Sequence, residues 1–445
     1  MLAAQYNKQV GVQSTNRLNL KEGIEKYMRV AIIGFDQSML DQRFAKASDT
    51  RERHIKYART LRNHYPNGSI VIILRVPPGH SAQQVEIEDG LIIQPVPSRR
   101  SVFAIRAIIT LERAFRRQSF DIVTTQTPFD DGFVGVYLKW RFLVPFNVQL
   151  HSSFFDIPEW ISERPFVYRV FNVLGKWVIH RADTIRVVSR VEKKRLEQRF
   201  HKLNGKIACL HPFINAHIFN EPLGNEELEQ VRVTLSRRRI DGGSFLLYVG
   251  RLVIEKNLPI LIKAFALVSE RMPKSLLVLA GDGPLRGELT EIAKRLKIDD
   301  RILWLGNLPL QSLRAWYATA CATVMPSFHE GLNKVIVESY LMGTPVISTP
   351  FDSALELIRD GETGFIAPDF TNHVSLAEKA LELLANPKGA KEMGQRGKEH
   401  VRDYLIPENR YLDQLIDIWR ETVERGRPAT KQRENNENVQ DSWSR

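Results

Sequence analysis

Apolar and polar positions along this chain sort into short β-branched runs separated by longer amphipathic stretches. The runs at residues 29–35 (RVAIIGF), 69–74, 121–125, 147–151 (NVQLH) and 184–189 predict one set of strands. A second set is predicted at 244–250 (SFLLYVG), 275–281 (SLLVLAG), 301–306, 322–326 and 345–348. Runs that are apolar throughout, not alternating, suit strands covered on both faces. Between them, 258–272 and 285–296 carry apolar residues at spacings of three and four, the period of a helix with one buried face. Alternation of this kind predicts α/β structure with parallel, doubly wound sheets.

The two sets are separated by residues 220–243, a charged stretch ending in Gly242-Gly243, which reads as a linker with one short helix. Two Rossmann-like domains follow, at 29–219 and 244–406, after an N-terminal extension at 1–28. Ligands of such sheets bind outside the carboxyl ends of the strands, so two facing domains would hold a cleft between those ends. Residues 407–425 read as a helix, with Tyr411, Leu415, Ile418 and Trp419 at helical spacing, and the polar stretch 426–445 as a disordered tail.

Composition changes this picture in one respect. Of 445 residues, 63 are Lys or Arg and 51 Asp or Glu, a net charge of +12. Residues 1–222 hold 33 of the cations and 20 of the anions, against 30 and 31 in residues 223–445. The whole excess sits in the first half. It calls for an acidic partner: nucleic acid, a membrane surface or a phosphorylated substrate. The two cysteines, Cys209 and Cys321, exclude a disulfide scaffold and a four-cysteine zinc site. No segment reaches the roughly 18 uninterrupted apolar residues of a membrane span. The first 28 residues lack the apolar core of a signal peptide, so the expected location is cytoplasmic, free or peripheral at the inner face of the membrane.

The most informative chemistry lies in residues 326–350, PSFHEGLNKVIVESYLMGTPVISTP. A strand should end near Pro326, a loop carries Glu330 and Gly331, and a helix follows over 333–342, stopped by Gly343. The backbone N–H groups of residues 331–335, with Leu332, Asn333 and Lys334 among them, are expected free at the helix start, where an anion is favoured. A carboxylate ahead of an anion site suits hydroxyls beside a phosphate, the chemistry of a nucleotide sugar. The plainer reading makes Glu330 the helix cap and Glu338 a solvated residue. Glu338, however, stands between Val337 and Ser339 on a largely apolar helix, and a buried carboxylate needs a partner.

In YVGRLVIEKN (248–257), Gly250 follows a strand, Arg251 sits at its carboxyl end and Lys256 five residues later. Two cations there suit a diphosphate, or else they form exposed ion pairs. Gly281-Asp282-Gly283-Pro284 closes the next strand, and such a turn is often only a turn.

These residues resemble family 4 of the retaining nucleotide-sugar glycosyltransferases, which have the GT-B architecture of two Rossmann-like domains. The family's signature of two glutamates separated by seven residues is matched by Pro326-Ser327, Glu330-Gly331, Glu338 and Gly343-Thr344-Pro345-Val346, and its phosphate-binding pair by Arg251 and Lys256. Leu305-Gly306, Asp360-Gly361 and Thr363-Gly364-Phe365 fall where the family has similar turns. The resemblance implies transfer of a glycosyl group, as a hexosyltransferase does, from a nucleotide diphosphate sugar to an acceptor hydroxyl in glycolipid, polysaccharide or cell-envelope glycan synthesis. Glu330 looks like the glutamate near the reacting carbon, Glu338 like the one holding the ribose, and His151 like the first-half histidine near donor sugar and acceptor. It also implies an acceptor-binding domain first, a donor-binding domain second, and a 407–425 helix returning to the first.

Several positions depart from the family pattern. Asp49-Thr50 replaces Gly-Gly at the first long helix and looks more like a helix cap; Asn333 replaces a second glycine; Asn215 replaces an aspartate. No Asp-x-Asp pair follows a strand, so neither a metal nor another cofactor is expected, with Arg251, Lys256 and the helix N-terminus acting on the leaving diphosphate. Residues 98–118 and Lys139-Trp140-Arg141-Phe142 place cations around apolar residues, as on a surface that meets anionic lipid, or as on helices that only pack on their sheet. The partners implied are a nucleotide diphosphate sugar, a saccharide or lipid-linked acceptor and an anionic membrane surface. A nucleotide-sugar epimerase or phosphorylase and a non-catalytic scaffold are the alternatives. A dehydrogenase would need Gly-x-Gly-x-x-Gly after the first strand, which Gly34-Phe35-Asp36 does not begin, and no nucleic-acid recognition motif is present.

Overall fold

The computed structural model describes residues 27–40, 49–156, 165–236 and 244–426. The N-terminal extension up to residue 26, the side chain of Asp49 and the tail from residue 427 lie outside them. Chain contacts form two compact units. One holds the chain up to 126 with 130–147 and the segment from 419; the other holds 127–129 and 148–418.

The strands of the first sheet are β1 (Arg29–Gly34), β2 (Ser69–Val76), β3 (Val85–Glu88), β4 (Leu91–Pro97), β5 (Ile122–Thr125), β6 (Phe146–Leu150), β7 (Thr184–Val187) and β8 (Ile207–Cys209), ordered β3–β4–β2–β1–β5–β6–β7–β8. In the first unit β1 lies parallel between β2 and β5, with Val30 opposite both Ile70 and Ile122. Its interior residues are buried, as the unbroken apolar pattern requires. The edge departs from an all-parallel sheet, because β3 pairs antiparallel with β4 through a register shift. Helices α1 (Asp49–His64), α2 (Phe103–Arg117) and α3 (Asp130–Phe142) belong to this unit. Asp49 and Thr50 are thus the first residues of α1.

In the second unit, β7 and β8 pair in parallel beside α4 (Pro165–Arg181) and α5 (Arg190–Arg199). The second sheet is parallel throughout: β9 (Phe245–Val249), β10 (Leu276–Ala280), β11 (Ile302–Gly306), β12 (Ala322–Met325), β13 (Val346–Ser348) and β14 (Gly364–Ile366), ordered β11–β10–β9–β12–β13–β14. The order reverses at β9, which pairs with β10 on one side and β12 on the other. Loops leaving β9, β10 and β12 therefore diverge at a topological switch point, where sheets of this kind bind ligands.

All five residues of β9 are buried, and α6 (Leu258–Arg271) buries Leu258, Leu261, Ile262, Phe265 and Val268. Each such side chain contributes about 1.5–3 kcal/mol of hydrophobic stabilisation to that core. The remaining helices that bear on the site are α7 (Arg286–Arg295), α8 (Leu310–Thr319), α9 (Lys334–Leu341) and α10 (Asp352–Leu357). The linker's predicted short helix forms at Asn225–Ser236. The last helix, α11, runs Glu408–Gly426; its buried Trp419 meets Tyr57 edge to face within the first unit. Among the described residues, no helix is long and apolar enough to cross a membrane.

Candidate active site

Four segments of the second unit build the site. The chain leaves β9 at Gly250, whose N–H bonds to the carbonyl of Ala280, and Leu252 N–H bonds to the carbonyl of Asp282. Gly281, at φ +141°, passes so close that a Cβ there would lie 1.9 Å from the carbonyl oxygen of Gly250. The Gly-Asp-Gly-Pro turn is thus seamed to the loop bearing the cations. Asp282 accepts from the N–H of Gly283 at 2.8 Å and faces Arg286 of α7 at 3.8 Å, so its carboxylate serves the turn. Arg251 is exposed, while its carbonyl takes the Tyr248 hydroxyl at 2.9 Å. Burial and the charge of Glu330 push that phenol's pKa far up, keeping it a neutral donor.

Glu330 does not cap the helix. Its Oε1 accepts from Ser327 Oγ at 2.7 Å and is ion-paired with Lys256 Nζ, both side chains being about five-sixths buried at 15% and 16% exposure. The N–H of Phe328 also bonds to the carbonyl of Glu255 at 3.0 Å, fixing the two loops together. Two charges read separately in the sequence form one neutral pair, and the ammonium retains N–H donors beyond the one used.

The cap of α9 is Asn333. Its side chain accepts from Ile336 N–H at 3.3 Å, and its own N–H goes to Ser353 Oγ at 3.2 Å. This corrects the expectation that the N–H groups of residues 331–335 are all free: that of Asn333 is committed. Leu332 is buried and Lys334 half-buried. At Gly331 a Cβ would sit 2.0 Å from the carbonyl oxygen of His151, which follows β6. Only glycine fits there, and the contact brings the exposed histidine beside the loop of Glu330. Next to them Ser152 Oγ lies 3.3 Å from His329 Nδ1.

Glu338 is buried on α9, and the partner it needs is Tyr317 of α8, whose hydroxyl donates to Oε2 at 2.9 Å. Burial raises the Glu338 pKa, against the opposing pull of that hydrogen bond and of Lys334. Tyr317 was not legible from the sequence: it lies 21 residues upstream, within an ordinary helical stretch.

A second polar cluster also escaped the sequence reading. Ser153, after β6, has its hydroxyl 3.1 Å from Glu192 of α5 and 2.5 Å from Asp352 of α10. Arg195 faces both carboxyls, at 2.6 and 3.6 Å. One hydroxyl proton cannot serve two carboxylates, so the geometry favours one carboxyl being protonated. Burial raises the pKa of Glu192 to about 7, with Asp352 adding to the rise against the pull of Arg195. One turn along α10, burial would likewise raise Glu356, yet His211, Ser189 and the N–H of Val191 hold it below its ordinary value. Among the described residues, no group of three or more His, Cys, Asp or Glu is placed to hold a metal ion.

Comparison with known proteins bears on both halves of the chain. Residues 236–400 match the family described as Glycosyl transferases group 1, and residues 57–217 match Glycosyltransferase Family 4. The chain is 26% identical to alpha-monoglucosyldiacylglycerol synthase of Streptococcus pneumoniae, over 71% of this chain and 74% of that protein. It is 29% identical to alpha-D-kanosaminyltransferase of Streptomyces kanamyceticus, over 64% and 73%. Among solved structures, sucrose-phosphate synthase from Thermosynechococcus elongatus superposes with a TM-score of 0.71 at 19% identity, covering 88% of this chain and 98% of that one. Anabaena HepE in complex with UDP-glucose gives 0.63 at 16%, with the same coverage.

Proposed function

This chain belongs to the family 4 glycosyltransferases of GT-B architecture, and on that premise we propose that it moves a sugar from a nucleotide diphosphate sugar to an acceptor hydroxyl with retention at the anomeric carbon. The observation that carries this reading is the mostly buried Lys256–Glu330 pair, held by Ser327 where the loops from β9 and β12 meet at the switch point. Glu330 lies against the donor sugar, next to the carbon that reacts. Lys256, using its remaining N–H donors, and the exposed Arg251 stabilise charge that builds on the departing diphosphate, as do N–H groups at the start of α9. Glu338, oriented by Tyr317, accepts hydrogen bonds from the ribose hydroxyls. His151 lies on the acceptor side of the sugar. Residues 29–219 bind the acceptor and 244–406 the donor.

Sugar hydroxyls compete with water for the transferred group, so the acceptor must be presented in a place poor in water. The basic first half and the likeness to a diacylglycerol-glycoside synthase both support an acceptor linked to lipid, with the enzyme peripheral at the inner, anionic face of a membrane.

A thermal-shift panel of nucleoside diphosphates and their sugars, uridine first, tests the donor site. One of them should raise Tm in the unmutated protein, by about 2.7 kcal/mol of added stability at a hundredfold excess over Kd, and the rise should vanish in Glu338→Ala. The reading fails if none does. Release of free diphosphate that requires acceptor distinguishes transfer from epimerisation.

A further inference from the structure

The first unit carries an outer surface that the transfer reaction does not use. Helix α2 is apolar on two sides. Phe103, Ala107 and Leu111, four residues apart, are buried and account for its packing. Two residues on, about 200° round the helix, Ile105 and Ile109 stand in solvent, as does Val102 just ahead of the helix, Ile105 with 63% of its surface exposed. Arg106, Arg113 and Arg116 continue that exposed stripe at helical spacing. A helix that only packed on its sheet would be polar on this side.

Helix α3 extends the same surface. Tyr137 donates to Glu112 Oε1 at 2.6 Å, and Phe142 stacks on Phe115 at 4.5 Å, so the helices run in the same direction with their carboxyl ends adjacent. At that end Trp140 is 74% exposed. Leu143 follows in the left-handed conformation, at φ 55°, and is 71% exposed. The position after a helix usually takes glycine, because a Cβ is strained there. A leucine in it, buried against nothing, serves neither backbone nor packing. Towards the adjacent end of α2, Arg113, Arg116 and Arg117 are exposed and have no ion-pair partner among the described residues, and Arg141 lies over Phe142.

We infer that this face docks on an anionic phospholipid bilayer. Ile105, Ile109, Trp140 and Leu143 enter the headgroup–acyl boundary, and the arginines reach outward to lipid phosphates. Large exposed apolar groups on helices that also carry exposed cations without ion-pair partners match a surface that is apolar below and negative above; a protein partner offers no such layering, and nucleic acid has no use for Leu143. The inference rests on the lipid-linked acceptor for its purpose, though not for its geometry.

Co-sedimentation of the full chain with vesicles of phosphatidylcholine, with and without phosphatidylglycerol, tests it. Binding to the anionic vesicles should exceed that to the neutral ones roughly tenfold or more. Arg113→Gln/Arg116→Gln/Arg117→Gln should remove most of that preference, and Ile105→Ser/Trp140→Ser most of the binding to either. Leu143→Gly is the decisive variant, since it should weaken binding while Tm holds or rises as backbone strain is relieved. No sedimentation, or binding unchanged in these variants, overturns the inference. So does a dimer in solution that the same variants dissolve, which would make a second copy the occupant. Nucleotide thermal shifts on the same proteins keep the two readings apart: shifts without vesicle binding sink the docking face alone, and binding without shifts sinks the donor site alone.

Discussion

Two clusters in the second unit are made of the same three kinds of group and differ only in their count. Ser327, Glu330 and Lys256 bring one carboxylate to one cation. Ser153, Glu192, Asp352 and Arg195 bring two carboxyls to one cation. The first cluster matches one carboxylate to one ammonium, both mostly buried, and leaves ammonium N–H donors for a ligand that brings its own charge. In the second, burial drives Glu192 toward the neutral form, with Asp352 adding to the rise against the pull of Arg195, and makes the cluster sensitive to protons. Burial sets the direction at Glu192, whereas at Glu356 the hydrogen bonds from His211, Ser189 and Val191 outweigh it.

The largest effects should come from unbalancing the first cluster. Lys256→Met leaves a mostly buried carboxylate unpaired and should cost about 3 kcal/mol of stability in urea unfolding. Glu330→Gln should lower the transfer rate roughly a hundredfold or more. The double variant should recover most of the stability and none of the rate. If the rate returned as well, the pair would be structural and the contrast between the clusters would collapse.

Next in size is the proton sensitivity of the second cluster. Native Glu192 holds a proton up to about pH 7, whereas in the unfolded chain it loses it near its ordinary pKa of 4.5. Between those values the folded state binds more protons, so this group's contribution to stability falls as pH rises through that window. Glu192→Gln should flatten that slope by a few degrees of Tm between its ends. A slope unchanged in the variant would show that the carboxyl ionises as easily in the fold as outside it.

A smaller effect is expected at Tyr317→Phe, which removes one hydrogen bond to Glu338 and should weaken nucleotide binding by about 1 kcal/mol, roughly fivefold in Kd by calorimetry. The smallest is at the uncharged cap. Asn333→Gly restores the residue usual in the family and should change stability by only a few tenths of a kcal/mol.

What could be read in the sequence followed from local pattern. Strands β9, β10 and β12 and helix α9 lie within a residue or two of their predicted bounds, because their apolar runs are unbroken and their ends carry Gly or Pro. Strands β3, β4, β8 and β14 were missed for physical reasons. β3 is a half-charged, exposed antiparallel edge, β4 contains Pro95 and Pro97, and β8 and β14 have three residues each. In the candidate site, Glu330, Glu338, Arg251 and Lys256 are picked out by type and spacing together with the family resemblance. Their partners are not, since Lys256 and Glu330 are 74 residues apart, and Ser153 and Asp352 199. Contacts of that range are products of the fold, and no window on the chain contains both ends.

The passage of Gly331 against the carbonyl of His151 acts as a gauge block. Most active-site distances are sums of side-chain choices, each of which can drift through a rotamer or a mutation. Here main chain abuts main chain, so the spacing between the strand end bearing the histidine and the loop bearing the glutamate is a contact limit with nothing compressible in it. Side chains around that contact can be exchanged to suit a different sugar or acceptor without losing the alignment. Residue 331 itself cannot be exchanged on those terms, because even one added methyl is a change of dimension.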